Sequence, residues 1–237
     1  MFTHRNDITP IEMTAEMVEG KRLYFTPEGN KYPSVTTVIS NNAKKAKAIA
    51  RWRKNIGEEK ANNITKRSTT RGTHYHSIVE DYINNELDLE KYKEHPLPVV
   101  MFKQSKAYLD RINNILLQEA ALYSDHLELA GRVDCIAEYD GLLSIIDFKT
   151  SAKEKKEQYL YDYFVQETAY ACMLLERYEL RVKQIVTIVS CEDGETQVVI
   201  RPLKKEYLAS LFKYIDCLLY TSPSPRDQRG SRMPSSA

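Results

Sequence analysis

The sequence predicts an α/β fold, a mixed central sheet flanked by helices with a helical clamp at the amino end. Three observations point there. Up to residue 118 the apolar residues recur at helical spacing, and from Glu119 onward alternating and β-branched residues take over. The segment GRVDCIAEYDGLLSIIDFKTS reads as two strands closed by a two-residue turn at Asp140 and Gly141. A long helical stretch, residues 158–178, separates this hairpin from a second one.

The 237 residues are 42% hydrophobic and 28% charged, which suits one soluble globular domain. No run reaches the ~18 consecutive apolar residues of a membrane span, and residues 1–10 hold no apolar signal core. Secretion and membrane insertion are therefore not expected. Cys135, Cys172, Cys191 and Cys217 lack the close spacing of a metal cage or a disulfide framework and read as reduced thiols. The expected compartment is the cytoplasm of a bacterial or phage-infected cell, with the mitochondrial matrix also compatible. The net charge is +1, yet residues 41–73 hold ten bases against Glu58 and Glu59, so that segment carries +8 and the remainder −7. Such asymmetry suits a polyanion-facing region, although a solvated helix face gives the same run of charge.

In chain order, residues 21–25 (KRLYF) and Lys31 with Tyr32 form a hairpin around Pro27, Glu28, Gly29 and Asn30, and Pro33 and Ser34 start a helix. Helical patterning continues over residues 44–64, with Ile49, Trp52 and Ile56 on one face and Trp52 expected as a core anchor. A separate helix is expected over residues 72–84, then a polar linker to Pro96. A further helix over residues 99–118 is striped by Phe102, Leu109, Ile112 and Leu116. Residues 119–124, 131–139 and 142–150 read as strands. Residues 182–192 and 195–203 pair as a hairpin turned at Asp193 and Gly194, and residues 204–216 form a closing helix. The expected division is 1–118 for the hairpin and clamp and 119–216 for the core, integrated as one domain, with 217–237 a non-native or disordered tail. Residues 221–237 hold five Ser, three Pro and three Arg and cannot bury a core.

Pairing across the Asp140 and Gly141 turn places Asp134 opposite Asp147, with Cβ atoms roughly 4.5–5.5 Å apart. Two carboxylates that close repel, and a bound cation is the natural offset. Lys149 projects from the same face as Asp147, and its opposite number is Arg132. The other face, Val133, Cys135, Ala137, Ile146 and Phe148, is core. Toward the turn the charged face continues as Ile136, Ile145 and Leu143, so both faces read as buried; a surface salt-bridge ladder is the plain alternative. Such carboxylates suit Mg²⁺ or Mn²⁺, which can orient and deprotonate water beside a phosphodiester. Lys149 would stabilise the developing charge or take the water proton.

Asp134, then Asp147 followed two residues later by Lys149, resembles the D…(D/E)XK signature of PD-(D/E)XK nucleases, in their RecB-like branch. RGTHYHSIVED is similar to that branch's upstream helix, with His76 as an extra metal ligand and Glu80 one turn on. Glu119 matches the acidic residue before the GRVD strand, and Gln166 and Tyr170 in QETAY match a Q-x-x-x-Y helix. The pieces keep family order over residues 32–170. PSVTTVIS, Trp52 and the histidine helix are most similar to the mitochondrial genome maintenance exonucleases and their phage relatives. Taken singly, His76 reads as a core histidine sooner than as a ligand, and Gln166, Tyr163 and Tyr170 read equally as the polar edge of a packed helix.

The resemblance implies a restriction-endonuclease-like core and a monomeric, metal-dependent DNA exonuclease working on single strands in replication, recombination or repair. It implies His76, Asp134, Asp147 and the Phe148 carbonyl as metal ligands, with Lys149 at the attacking water. The expected substrate contacts are Arg71, Glu80, Glu119, Arg132, Gln166, Tyr170, Lys44, Lys45 and Lys47. Many helicase-linked and CRISPR-linked members carry four cysteines around an iron–sulfur cluster. Here no cysteine precedes Cys135 and no triplet follows the Q-x-x-x-Y helix, so no cluster is expected. The rival readings are a structure-specific or adaptation-type endonuclease of the same superfamily and a catalytically idle nucleic-acid-binding module. Intact Asp134, Asp147 and Lys149 argue against the idle module.

Overall fold

The computed structural model describes residues 1–41 and 43–221. The chain opens with β1 (Thr14–Val18), β2 (Lys21–Phe25) and β3 (Lys31–Pro33), a small antiparallel sheet in that order. Ser34 then caps α1 (Val35–Ser40), its hydroxyl accepting from the Thr37 N–H at 3.0 Å. Two helices follow, α2 (Ala43–Ile56) and α3 (Glu58–Ile83). They break at Gly57, whose φ of +87° is open to glycine and strained for other residues.

The separate helix expected from residue 72 is instead the second half of α3. Gly72 sits inside it with only Thr150 Oγ1, at 3.7 Å, near the position of a Cβ, so nothing there stops the helix. The expected role of Trp52 also changes. Among the described side chains of α2 none is buried, and Trp52 is 37% exposed. The Ile49 and Trp52 face of α2 points to solvent.

Helix α4 (Pro96–Leu109) ends nine residues before the expected boundary at 118, and β4 (Ile112–Ser124) begins in its place. Ile112 and Leu116 have helical spacing, but Ile112 pairs with Tyr139 and Leu117 with Ile136 across the sheet. Arg111 fixes the switch: Nε donates to Asp140 Oδ1 at 2.9 Å, and its guanidinium lies 4.8 Å from the centre of the Tyr139 ring. Tertiary pairing thus overrides a local helical pattern. The expected division at 118/119 falls inside β4.

After β4 come β5 (Leu129–Tyr139) and β6 (Leu142–Ser151), then α5 (Tyr161–Tyr178), β7 (Gln184–Cys191), β8 (Thr196–Arg201) and α6 (Lys205–Thr221). The large sheet runs β4-β5-β6-β7-β8; only β6 and β7 are parallel, joined by the α5 crossover. Asp140 and Gly141, both at positive φ, make the β5–β6 turn, and the register follows from it, with Ile136 opposite Ile145 and Tyr139 opposite Leu142. One face of the sheet packs on α1, α5 and α6 through Val133, Ile136, Ile145, Ile185 and Val189. The other packs on α3 and α4 through Cys135, Ala137, Ile146, Phe148 and Val186. Single bridges from His4 and Ile11 to Ile115 and Ala121 run beside the edge strand β4. No helix among the described residues is long and apolar enough to cross a membrane.

Helix α6 continues past Asp216 to Thr221, so residues 217–221 of the expected tail are helical; residues 222–237 lie outside the described residues. Leu218, 8% exposed, packs into the α5 and α6 side of the core. Ending the chain after Asp216 should cost about 2 kcal/mol, the burial of one leucine. A thermal melt checks this; an unchanged Tm would show that the last turn carries no stability.

Candidate active site

Three acids and a threonine line up across four strands. Glu119 lies between the pairs Gln118↔Cys135 and Ala120↔Val133, which sets it opposite Asp134. The β5–β6 ladder ends at Cys135↔Ile146, one step short of Asp134 and Asp147, and Asp147 pairs in turn with Thr187 on β7. Where that ladder stops, the Phe148 N–H donates to Asp134 Oδ2 at 2.8 Å. Pairing between β5 and β6 stops there in mid-strand, and groups from both helical layers reach the row.

From one layer, α3 brings His76, whose Nδ1 is 3.8 Å from both Glu119 Oε1 and Asp134 Oδ2. One ligand atom each from His76, Glu119 and Asp134 lies within 4.8 Å of the others. Burial works to lower the imidazole's pKa, but the Asp134 and Glu119 carboxylates outweigh it and raise it. Glu119 reaches this position through a left-handed backbone, φ +46°, a strained conformation for a side-chain-bearing residue.

From the other layer, α5 lays one stripe over the row. Gln166 Nε2 donates to Asp147 Oδ1 at 3.1 Å, and Lys149 Nζ sits 2.5 Å from the same carboxylate. Asp147 Oδ2 is buried and accepts no aligned hydrogen bond. Burial, with Asp134 adding and Lys149 opposing, pushes the Asp147 carboxyl up to about 6. Burial alone would lower the Lys149 ammonium, yet Asp147 and Asp134 outweigh it and keep it protonated.

The donor set fits a divalent cation. Carboxylate oxygens of Glu119 and Asp134 and one imidazole nitrogen of His76 converge where the β5–β6 ladder stops, a hard oxygen-rich donor set. Glu119, expected to contact substrate, stands instead with His76 and Asp134. Asp147, expected to share the metal with them, lies outside that trio and is engaged by Lys149 and Gln166. Phe148 contributes its N–H to Asp134, and its ring is buried edge-on to His76, centroids 6.4 Å apart. Glu80 sits one turn along α3, where burial and then the Glu119 charge raise its pKa.

Other expected substrate contacts are placed differently. Arg71 is buried and bound to Thr150 Oγ1 at 3.1 Å and to Glu192, tying α3 to the ends of β6 and β7 rather than facing a phosphate. Arg132 turns toward β4, its Nε donating to the Glu119 carbonyl at 2.7 Å, and does not flank the two aspartates. Tyr170 is buried against Gly131, where a Cβ would fall 2.9 Å from its hydroxyl; the glycine of GRVD exists to admit this ring. Lys47 is exposed on α2, and Lys45 Nζ lies 3.3 Å from Asp162 at the start of α5. The side chain of Lys44 lies outside the described residues. Cys135 and Cys191 are buried in the sheet, Cys172 is half-buried and Cys217 exposed.

Glu167 is a site residue that the sequence did not single out. Fully buried on α5, it accepts from Thr187 Oγ1 at 2.5 Å, its Oε2 has no partner, and burial with the neighbouring Asp147 charge raises its pKa well above 4.5. Its place on the face of α5 that also carries the buried Phe164, Thr168 and Ala171 was the available signal. Because the folded state holds this proton more tightly than the unfolded chain, Glu167 withdraws stability as pH rises past about 4.5. Glu167→Gln should therefore melt higher than wild type at pH 7 to 8, with the gap closing below pH 4.5. A gap independent of pH would mean the carboxyl is ionised.

A mixed sheet between two helical layers, crossed by a row of acids with a lysine beside it, marks a nuclease fold. The chain belongs to the PD-(D/E)XK nuclease superfamily, which its residues 45–222 match. Members of that superfamily use divalent metals. The chain is similar to mitochondrial genome maintenance exonuclease 1 of Homo sapiens, 27% identical over 174 residues that cover 70% of this chain and 51% of that protein. The Mus musculus protein matches with the same figures, and that of Xenopus tropicalis is 29% identical over 180 residues, 68% of this chain and 49% of that protein. The chain spans about half the length of each.

Proposed function

We propose that this chain is a metal-dependent deoxyribonuclease that hydrolyses phosphodiester bonds from an end of single-stranded DNA. The observation that carries the reading is the acid row Glu119, Asp134 and Asp147 where the β5–β6 pairing stops, with His76 on one side and the charged Lys149 on the other. His76, Glu119 and Asp134 would hold Mg²⁺ or Mn²⁺, with Asp147 completing the site. The cation supplies charge neutralisation and a more acidic water. Lys149 stabilises the charge that builds on the phosphate, Gln166 holds the Asp147 carboxylate in place, and the Phe148 N–H does the same for Asp134. The names of the similar proteins support exonuclease action in genome maintenance, and replication, recombination or repair is the setting we propose for it.

The basic arm supports the choice of a strand end. Helix α2 exposes Lys47, Arg51 and Lys54, and Lys45 reaches Asp162 on α5, so the arm spans from α3 toward the opposite wall of the site. A strand enters such a closed path by its end, and phosphates would compete for the lysines without regard to base sequence. Incubation with Mg²⁺ should degrade end-labelled linear single strands and leave closed single-stranded circles and blunt duplex largely intact. Rapid cutting of circles would establish an endonuclease instead, and binding without cleavage of any substrate an idle module.

A further inference from the structure

Beyond Lys149 the site continues in a direction that the family signature does not cover. The loop between β6 and α5 carries Lys155, and this residue is held at both ends. Its N–H donates to Gln197 Oε1 at 3.2 Å, and Gln197 Nε2 donates to its carbonyl at 2.9 Å, fastening the loop to β8. Its ammonium donates to the Tyr163 hydroxyl at 2.6 Å. Tyr163 stands on α5 three residues before Gln166, and its ring centre is 5.2 Å from Lys149 Nζ.

Two features of this arrangement call for an anion. Lys155 is fixed near a second ammonium, on the same tyrosine, with no carboxylate in contact among the described residues, although fixing a lysine side chain costs rotamer entropy. An ammonium has three donors and no acceptor, so the Tyr163 oxygen must accept, and its own proton has no acceptor among the described residues. The neighbourhood thus offers one positive charge, spare N–H donors and a phenolic O–H, beside the lysine that faces the acid row.

We propose that Lys155 and Tyr163 form a phosphate-binding subsite for the nucleotide adjoining the scissile bond, Lys155 giving the charge and Tyr163 the directed hydrogen bond. This rests on the nuclease reading above. The plain alternative is a staple that only holds the loop.

Binding of a fluorescent single-stranded oligonucleotide, measured in EDTA across a salt series, separates the two. Removing one phosphate contact to a single strand lowers the slope of log affinity against log salt by about 0.7. Lys155→Met should therefore flatten the slope by that amount and weaken binding at low salt about tenfold, whereas Lys155→Arg restores the slope. Tyr163→Phe, which keeps the ring, should weaken binding a few-fold at every salt concentration and leave the slope alone. A staple would lower the melting temperature of Lys155→Met and leave its salt slope equal to wild type, and that result overturns the proposal. Should wild type neither bind nor cleave single strands, the nuclease reading fails and takes this subsite with it. If wild type does both while the Lys155 and Tyr163 variants match it, the subsite alone fails.

Discussion

Asp147→Asn should lower phosphodiester hydrolysis by at least about 10³-fold while leaving the protein folded. The expected change in stability has a definite sign. In the metal-free protein the Asp147 carboxyl titrates at about 6 against an ordinary value of 3.8, chiefly because it is buried. The folded state binds this proton more tightly than the unfolded chain, so the contribution of Asp147 to stability is greatest below pH 4 and is lost as pH climbs through about 6. A neutral amide at this position escapes that loss. The variant should therefore melt above wild type at pH 7, by at most about 3 kcal/mol, with the difference gone below pH 4. Saturating Mg²⁺ should reverse the order, since wild type then gains from the ion. Near wild-type cleavage by the variant would remove Asp147 from the chemistry altogether.

Added Mg²⁺ or Mn²⁺ should raise the melting temperature of wild type, because the cation binds only where the strands have assembled His76, Glu119 and Asp134. At an ion concentration 100 times Kd the gain is about 2.7 kcal/mol, roughly 5–10 °C for a chain of this size. Asp134→Asn should abolish the shift, since Asp134 stands in the row between Glu119 and Asp147. Calorimetric scans with and without the ion read both quantities. A shift that persists in Asp134→Asn would place the cation elsewhere.

The sequence by itself determined the central hairpin, and through it the Asp134, Asp147 and Lys149 grouping. A two-residue turn at positive φ fixes the register beside it, with Ile136 opposite Ile145, but the paired ladder stops one step before Asp134 and Asp147, so they are not the direct cross-strand pair that register alone predicts. The β7–β8 hairpin was legible as a hairpin, yet its loop spans residues 192–195 and pairs Ser190 with Thr196, one step off the register of a two-residue turn at Asp193 and Gly194; the periodicity of α5 sets Gln166 over the row. What local pattern could not reach are contacts with no short turn between them. Glu119 meets Asp134 across a longer loop at residues 125–128, and the bulged strand β4 has the apolar spacing of a helix until β5 pairs with it. Charge alone could not separate Arg71, spent on Glu192, from the exposed Lys47, because the same guanidinium is a phosphate ligand or an internal tie according to what lies opposite it. Trp52 is apolar by type and exposed by position, since among the described residues α2 packs chiefly against α3 and leaves the Trp52 face uncovered. Glu167 and the Lys155 with Tyr163 pair belong to the same category: their meaning is fixed by partners on other elements, Thr187, Gln197 and Lys149, and only the tertiary structure brings those partners within hydrogen-bond or ring-contact distance.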